Sequence, residues 1–281
     1  MGYALFIGFL FFWPFLYMIV AYQKHIHEEG SAFYYHRIKW NTKIARQEFL
    51  KMDVILNKRI SFYKNLSPDG RAKFVNRIQR IIRKKRFVPK EGIVITQEMK
   101  IVVCAAVVQL TYGLKEFELD NIRGFQLYPS VFYNVRMQVY FKGSTPPEGL
   151  ISLSWKDLEH GFLVENDKYN LGLHEVAHAL KLSLRHAYNF DTNFGAYLKN
   201  WEGFGHVEFR KMKRGNDSFL RKYGGVNEHE FFAVCIEHFF EAPEQFKEAL
   251  PKIYYHLCVL LNLNPLNEHQ DYKFIKVPLS L

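Results

Sequence analysis

The sequence predicts an α+β domain that follows an N-terminal transmembrane helix. Three observations support this prediction: an uncharged run opens the chain, strand-like segments lie together near its middle, and helical periodicity occurs on both sides of them. Helices that precede and follow a group of strands, rather than alternating with them, are typical of α+β folds. With 281 residues, 48% of them hydrophobic, the chain can bury a full core.

The N-terminal run extends from Tyr3 to Tyr22 and has the length of one bilayer-spanning helix. It has no basic n-region before it and no small-residue cleavage site after it, so we expect an uncleaved single-pass anchor rather than a secretory signal peptide. The alternative is a buried helix of a soluble protein, but this run would be unusually long and apolar for such a helix. Because lysines and arginines follow the run and none precedes it, the positive-inside rule predicts that the following domain is cytoplasmic.

A pair of helices is predicted after a polar juxtamembrane stretch. The first covers residues 49–66, and the second begins with Ser67 as the expected N-cap and Pro68 at the first helical position. The second helix ends in "RIIRKKRF", which we interpret as a solvated face with cations at a helix C-terminus; contact with anionic lipid is the alternative. The net charge is +10, but no recognition-helix, RNA-binding or zinc-finger signature is present, so no direct nucleic-acid partner is expected.

A buried helix and a small sheet are predicted in the middle of the chain. The apolar run "KIVVCAAVVQL" is too short to cross a bilayer and indicates a buried helix. The segments "GFQLYPSVFY", "MQVYFKG" and "GLISLSW" resemble strands, and Pro and Gly residues separate them. The chain is again helical from Asn166 onwards. Its three cysteines, Cys104, Cys235 and Cys258, lie in apolar runs and are expected to be reduced core thiols in a reducing compartment.

The stretch "LGLHEVAHAL" contains an HExxH motif at His174, Glu175 and His178. Residues four apart on a helix share a face, so both imidazoles can bind one Zn²⁺, while the intervening glutamate can accept a proton from a water there. The alternative is two satisfied core or surface histidines. The neighbouring residues are nearly all apolar, and burying these polar groups without partners would cost several kcal/mol. A metal would remove this cost.

A third protein ligand is expected, since catalytic zinc sites have three protein ligands and one open position. The metzincin extension is excluded because Lys181 and Leu184 occupy its glycine and histidine positions, and His186 is off-register. A glutamate from a later helix remains possible. In "NEHEFFAVCIEHFFEAP" the positions i, i+7 and i+11 are acidic: Glu230, Glu237 and Glu241. Periodicity alone leaves open whether this stripe binds a metal or is a solvated face.

Two spaced motifs, "NLGLHEVAHAL" and "RKYGGVNEHEFFAVCIEHFFEAPEQF", resemble the Mlc titration factor A (MtfA) family of zinc-dependent peptidases. The segments "LYPSVF" and "ISLSW" resemble it as well, and the similarity covers about Phe49 to Pro265. The resemblance implies a zincin-like fold, in which the HExxH helix packs against a small mixed sheet and the C-terminal half is helical. The chain departs from the family in its apparent membrane anchor and in "ALKLSL", where an aspartate is common.

The resemblance also assigns roles to individual residues. It places the zinc ligands at His174, His178 and Glu230, the general base at Glu175, and a catalytic tyrosine at Tyr223, for which a packed aromatic residue is the alternative. Glu237 is then expected to accept a hydrogen bond from a zinc-binding histidine and thereby to orient its ring. We expect the remaining carboxylate of the stripe, Glu241, to be solvated.

The resulting hypothesis is a membrane-anchored zinc metallopeptidase that hydrolyses a peptide or protein substrate. We expect an anchor at residues 1–24, a juxtamembrane segment at 25–48, the peptidase domain at 49–265 and a tail at 266–281. The alternative is a regulatory binding protein with a structural zinc site, because the resemblance also implies association with a DNA-binding transcriptional repressor. An open fourth position beside a general base favours the enzyme.

Overall fold

The computed structural model describes residues 43–135, 137–186 and 192–275. The predicted anchor lies outside these residues. Within the described ranges, no helix is both long and apolar enough to cross a membrane. The chain divides into two units, Met1–Arg46 and Gln47–Leu281. The second unit is a mixed α and β structure, which confirms the predicted α+β class.

Helices account for most of the described residues, and we number them from the first one described. They are α1 (Lys43–Arg59), α2 (Ser61–Lys64), α3 (Pro68–Lys84), α4 (Gln97–Leu110), α5 (Trp155–Leu163), α6 (Leu171–His186), α7 (Thr192–Lys213), α8 (Glu228–Glu241), α9 (Pro243–Ala249) and α10 (Pro251–Leu261). Short 3₁₀ helices occupy Lys222–Gly225 and Glu268–Gln270.

The strands form a four-stranded sheet and a separate hairpin. They are β1 (Arg86–Pro89), β2 (Gly124–Tyr128), β3 (Phe132–Asn134), β4 (Val139–Phe141), β5 (Gly143–Ser144) and β6 (Leu150–Ser154). The sheet has the order β1-β2-β6-β5, in which the first three strands are parallel and β5 is an antiparallel edge strand. Strands β3 and β4 pair with each other as an antiparallel hairpin.

The core lies around α4, which connects two parallel strands of the sheet, β1 and β2. Its residues from Ile101 to Leu110 are all buried, as the dense apolar run predicts. This helix packs against α3 on one side and α6 on another. Cys104, Cys235 and Cys258 are buried and unbridged, in agreement with the prediction of core thiols.

The N-terminus of α3 is capped as predicted, and the end of the described chain reinforces the cap. Ser67 Oγ accepts a hydrogen bond from Gly70 N, and Pro68 is the first helical residue. Asp271 Oδ1 accepts from Ser67 N, and Asp271 Oδ2 from Ser67 Oγ, both at 2.6 Å. The next residue, Tyr272, is buried and stacks on Phe62 with 3.9 Å between ring centroids. Residues beyond Pro265 thus contribute to the same core.

The basic residues at the end of α3 form contacts within the protein, although several of them are exposed to solvent. Arg80 and Lys84 are exposed, as predicted, but both form ion pairs with Glu118. Lys85 donates hydrogen bonds to the main-chain oxygens of Leu119 and Ile122. These cations therefore fix the segment before β2 against α3, and only part of the basic charge is available to an anionic surface.

Candidate metal centre

The HExxH helix, α6, is positioned by its N-terminal cap and by its apolar face. Asn170 Oδ1 accepts a hydrogen bond from Leu173 N at 3.1 Å, and Asn170 O accepts from His174 N at 2.9 Å. The helix packs against α4 and α8, and the apolar residues around its histidines are buried: Leu173, Val176, Ala177, Ala179 and Leu180. The helix therefore has little freedom to rotate its two histidines away from α8.

The second helix of the site, α8, begins at a strong cap. Asn227 Oδ1 accepts hydrogen bonds from His229 N at 2.8 Å and Glu230 N at 3.0 Å. This cap fixes Glu230 in the first turn of a helix whose following residues, from Phe231 to Phe239, are buried. The carboxylate of Glu230 is thereby held beside the histidines of α6.

Three potential metal ligands meet between these helices. The Nε2 atoms of His174 and His178 are 3.2 Å apart, and Glu230 Oε2 lies 3.1 Å and 3.5 Å from them, respectively. A tetrahedral Zn²⁺ with bonds of about 2.0–2.1 Å separates neighbouring ligand atoms by roughly 3.3–3.4 Å. Within the described ranges, this trio is a group of histidine and acidic side chains that could hold a metal ion.

The polar atoms of the trio also indicate a cation. Glu230 Oε2 is buried and accepts no hydrogen bond of acceptable geometry despite the nearby imidazoles. Burial lowers the pKa of His174, but the adjacent carboxylates of Glu230 and Glu237 outweigh this effect and raise the pKa to about 10. The same imidazoles hold the pKa of Glu230 below its usual range, against the effect of burial. The site thus favours positive charge between its three ligand atoms, which fits a divalent ion.

Glu237 lies behind His174, on the side away from Glu230. Its Oε2 is 3.1 Å from His174 Nδ1 and pairs with Arg221, while its Oε1 accepts from Asn170 N at 3.0 Å. A carboxylate on the second nitrogen of a metal-binding histidine fixes the tautomer and the ring orientation. The geometry therefore fits the orienting role that the sequence predicts for Glu237.

Glu175 points towards the edge strand of the sheet and is only 5% exposed. Thr145, directly after β5, donates a hydrogen bond from Oγ1 to Glu175 Oε2 at 2.6 Å. The other carboxylate oxygen lies against Gly143, where any Cβ atom would collide with it. Burial raises the pKa of Glu175, and Thr145 and the neighbouring histidines oppose this effect. A carboxylate so placed is a suitable general base.

Tyr223 lies in the 3₁₀ turn Lys222–Gly225, before α8, and is half exposed. Its ring centroid is 6.0 Å from that of His174, and burial and the Glu230 carboxylate raise the pKa of its phenol. Arg221 directly precedes the turn, and its guanidinium pairs with Glu237 and stacks over Tyr169 at 3.7 Å from the ring centroid. The phenol remains protonated at neutral pH and can donate a hydrogen bond into the site.

Several supporting residues were missed by the sequence analysis. Asn170 could have been recognised, because an asparagine directly before an apolar helix is a common N-cap. Thr145 and Arg221 had no such signal, because they reach the site only through the folding of distant segments. They act on Glu175 and Glu237, respectively.

The prediction of a solvated Glu241 was wrong. The side chain is buried, and it accepts hydrogen bonds from Asn166 N at 3.0 Å and Asn170 Nδ2 at 3.2 Å. Burial, opposed by these hydrogen bonds, raises its pKa to about 7. The loop between α5 and α6 covers this end of the acidic stripe, which helical periodicity cannot reveal.

Comparison with known proteins identifies the family of the chain. A family model described as glucose-regulated metallo-peptidase M90 matches residues 36–260, which is most of the sequence. The chain belongs to this family. The resemblance inferred from the two motifs is confirmed, and the three ligand-type residues of this M90 protein lie within the matched region.

Relatives with similar sequences match over most of their own length. The chain is 28% identical to Mlc titration factor A of Escherichia fergusonii over 261 residues, covering 82% of this chain and 93% of that protein. It is 26% identical to Mlc titration factor A of Escherichia coli strain 55989, with the same coverage. An uncharacterized protein of Synechocystis is 26% identical over 254 residues, covering 83% of this chain and 92% of the relative.

Proposed function

We propose that this M90 protein is a zinc-dependent peptidase in which His174, His178 and Glu230 bind the metal. The observation that carries the proposal is the meeting of three ligand atoms at tetrahedral spacing, next to a buried glutamate. Nitrogen and carboxylate ligands in this combination suit zinc. A binding role alone does not require the buried carboxylate of Glu175.

Each side chain of the site can carry out a different step of peptide hydrolysis. When bound, zinc lowers the pKa of a water to about 7 and polarises a carbonyl. Glu175 accepts the proton of the attacking water and transfers it to the leaving amine nitrogen. Tyr223 donates a hydrogen bond to the oxyanion that forms on the scissile carbonyl. Glu237 keeps His174 oriented throughout.

Metal analysis and peptide hydrolysis of four variants test this proposal. Glu175→Gln should keep zinc and lose nearly all hydrolysis, and Tyr223→Phe should keep zinc and lose about 100-fold in turnover. His178→Ala and Glu230→Ala should lose zinc together with activity. Full zinc occupancy in either ligand variant, or wild-type turnover in Glu175→Gln, would contradict the assignment.

A second candidate function is the capture of a transcriptional repressor. The name Mlc titration factor A, carried by relatives of similar length, supports it. Glu175→Gln separates the two candidates because this change is nearly isosteric and preserves the metal ligands. A biological effect that survives Glu175→Gln would indicate capture, whereas an effect that disappears with hydrolysis would indicate cleavage.

We further propose that the uncharged run from Tyr3 to Tyr22 anchors the protein in a membrane with its catalytic domain in the cytoplasm. The support is the length of the run and the basic residues that follow it. A reporter fused after Leu281 should be active in the cytoplasm. Recovery of the full chain without detergent, or a reporter active only outside the cytoplasm, would contradict this proposal.

A further inference from the structure

The hairpin formed by β3 and β4 exposes an unusual amount of apolar surface. Seventeen large apolar side chains are exposed in the part of the chain that the structure describes, and six of them lie between Val131 and Tyr140. Tyr140 is 71% exposed, and Val135 and Met137, near the tip, are 80% and 64% exposed. Exposed apolar side chains that are clustered, unlike scattered ones, indicate a binding surface.

The two faces of the hairpin differ in their packing. Phe132 is buried and stacks on Tyr128 at 4.1 Å between ring centroids, so this face attaches the hairpin to the end of β2. On the opposite face, Tyr133 and Tyr140 are paired across the strands with their rings 5.1 Å apart. We call this outer surface, formed by Val131, Tyr133 and Tyr140, the tyrosine face.

The hairpin leads directly into the strand that lies against Glu175. Lys142, one residue after β4, pairs with Asp157 at 2.7 Å, and its main-chain oxygen accepts from Ser154 N at 2.7 Å. The following residue, Gly143, lies against the carboxylate of Glu175. The Cα atoms of Tyr140 and Gly143 are therefore separated by at most about 11 Å, the extended length of three residues.

A peptide chain bound at the metal centre is long enough to reach this surface. An extended peptide advances about 3.4 Å per residue, so a residue about four positions from the scissile bond lies roughly 14 Å from it. Tyrosine supplies a large contact area with little conformational entropy to lose, which makes it effective in binding apolar segments. The sequence from Asn121 to Pro147 has no acidic residue, so the hairpin itself contributes no carboxylate that a bound apolar segment would desolvate.

We propose that the tyrosine face binds an apolar segment of the polypeptide substrate, about four residues from the bond that is cleaved. This inference rests on the proposed peptidase function, and it specifies the class of substrate: chains with an apolar segment at a fixed distance from the cleavage site. Short peptides that end before this distance lack the contact.

Peptide binding to full-length protein carrying Glu175→Gln tests the inference without cleavage. Three fluorescent peptides of about twelve residues are compared by anisotropy. One carries a Leu-Phe pair four residues before the central bond, one carries the pair four residues after it, and the third has serines at both places. We expect one of the apolar peptides to bind at least about 10-fold more tightly than the serine peptide.

A matched pair of double variants in the same background identifies the surface. Tyr133→Ser with Tyr140→Ser should abolish the preference for the apolar peptide. Val94→Ser with Val207→Ser, which also removes two exposed apolar side chains, should preserve it. Equal affinity for all three peptides, or a preference that survives loss of both tyrosines, would overturn the inference.

Two other occupants of the tyrosine face would also overturn it. If light scattering shows self-association that the tyrosine variant loses, while all peptides bind equally, the surface belongs to a second copy of the chain. If binding to phosphatidylcholine–phosphatidylglycerol vesicles weakens in the tyrosine variant, with equal peptide binding, the surface contacts lipid.

Hydrolysis by the wild-type protein is measured in parallel. Cleavage without apolar preference would refute this inference alone, whereas preferential binding without cleavage would refute the peptidase.

Discussion

Thr145 illustrates how a single hydroxyl outside the motif can control Glu175, the proposed general base. Its Oγ1 is 2.6 Å from Glu175 Oε2, and the carboxylate is confined on its other side by Gly143. A hydrogen bond to a charged group contributes about 1.5–3 kcal/mol. Its loss leaves the metal ligands in place but allows the base to move.

We therefore expect Thr145→Val to lower kcat by about 10-fold to 100-fold, with little change in KM or in zinc content. Valine keeps the shape of threonine and removes only the hydroxyl. Thr145→Ser restores the donor and should recover most of the turnover. Steady-state kinetics and metal analysis measure these effects. An equal loss of kcat in Thr145→Ser, or a loss of zinc in Thr145→Val, would show that the hydroxyl does not act through Glu175.

The orientation of His174 by Glu237 should be visible in metal affinity. Glu237→Gln removes the negative charge that pairs with both the His174 imidazole and Arg221. Changes of this kind weaken metal binding by about 10-fold to 100-fold. Competition with a chromogenic chelator measures the zinc Kd. Glu244→Gln, an exposed carboxylate after α8, is the matched control and should bind zinc as the wild type does. Unchanged affinity in Glu237→Gln would remove its orienting role.

At the scale of secondary structure elements, the buried end of α8 makes the stability of the fold dependent on pH. Glu241 joins this helix to the loop before α6, and burial raises its pKa to about 7. Between about pH 4.5 and 7 the unfolded chain releases this proton while the folded chain keeps it. The free energy of unfolding therefore falls as the pH rises through this window, by at most on the order of 3 kcal/mol.

Glu241→Gln should remove this pH-dependent loss. The amide carries no titrating proton, and its single oxygen accepts one of the two hydrogen bonds, so the stability of the variant relative to wild type should be higher at pH 8 than at pH 5. Urea unfolding at both values measures the difference. Glu248 is exposed, so Glu248→Gln serves as the control and should leave the free energy of unfolding unchanged at both pH values. Equal effects of Glu241→Gln at the two pH values would contradict the assignment.

For the whole molecule, zinc should stabilise the fold, because the site joins two helices of the core. A ligand that binds only the folded state at 100 times its Kd adds about 2.7 kcal/mol to the free energy of unfolding. Urea unfolding with excess zinc and with a chelator should differ by about this amount for the wild type. His178→Ala should show a much smaller gain. A zinc-dependent gain of wild-type size in that variant would place the metal elsewhere.

The sequence predicted those features that depend on residues close together in the chain. The HExxH helix, the Ser67 cap and the buried α4 follow from local spacing and composition, and the structure confirms each of them. The choice of Glu230 within the acidic stripe required a family resemblance, since three carboxylates shared one helical face. Thr145 and the burial of Glu241 depend on contacts between segments far apart in sequence, which periodicity does not encode.

The spacing of the three proposed ligands along the chain also suggests an order of events in folding. His174 and His178 are one helical turn apart, whereas Glu230 follows 52 residues after His178. A nascent α6 can therefore hold an ion with two nitrogens before α8 has docked, and closing the intervening loop has an entropic cost. An ion already bound gains its third ligand when the loop closes, which offsets part of that cost. Zinc would then act as a nucleus for the docking of α8 onto α6, and a chain synthesised under zinc limitation would pass this step more slowly.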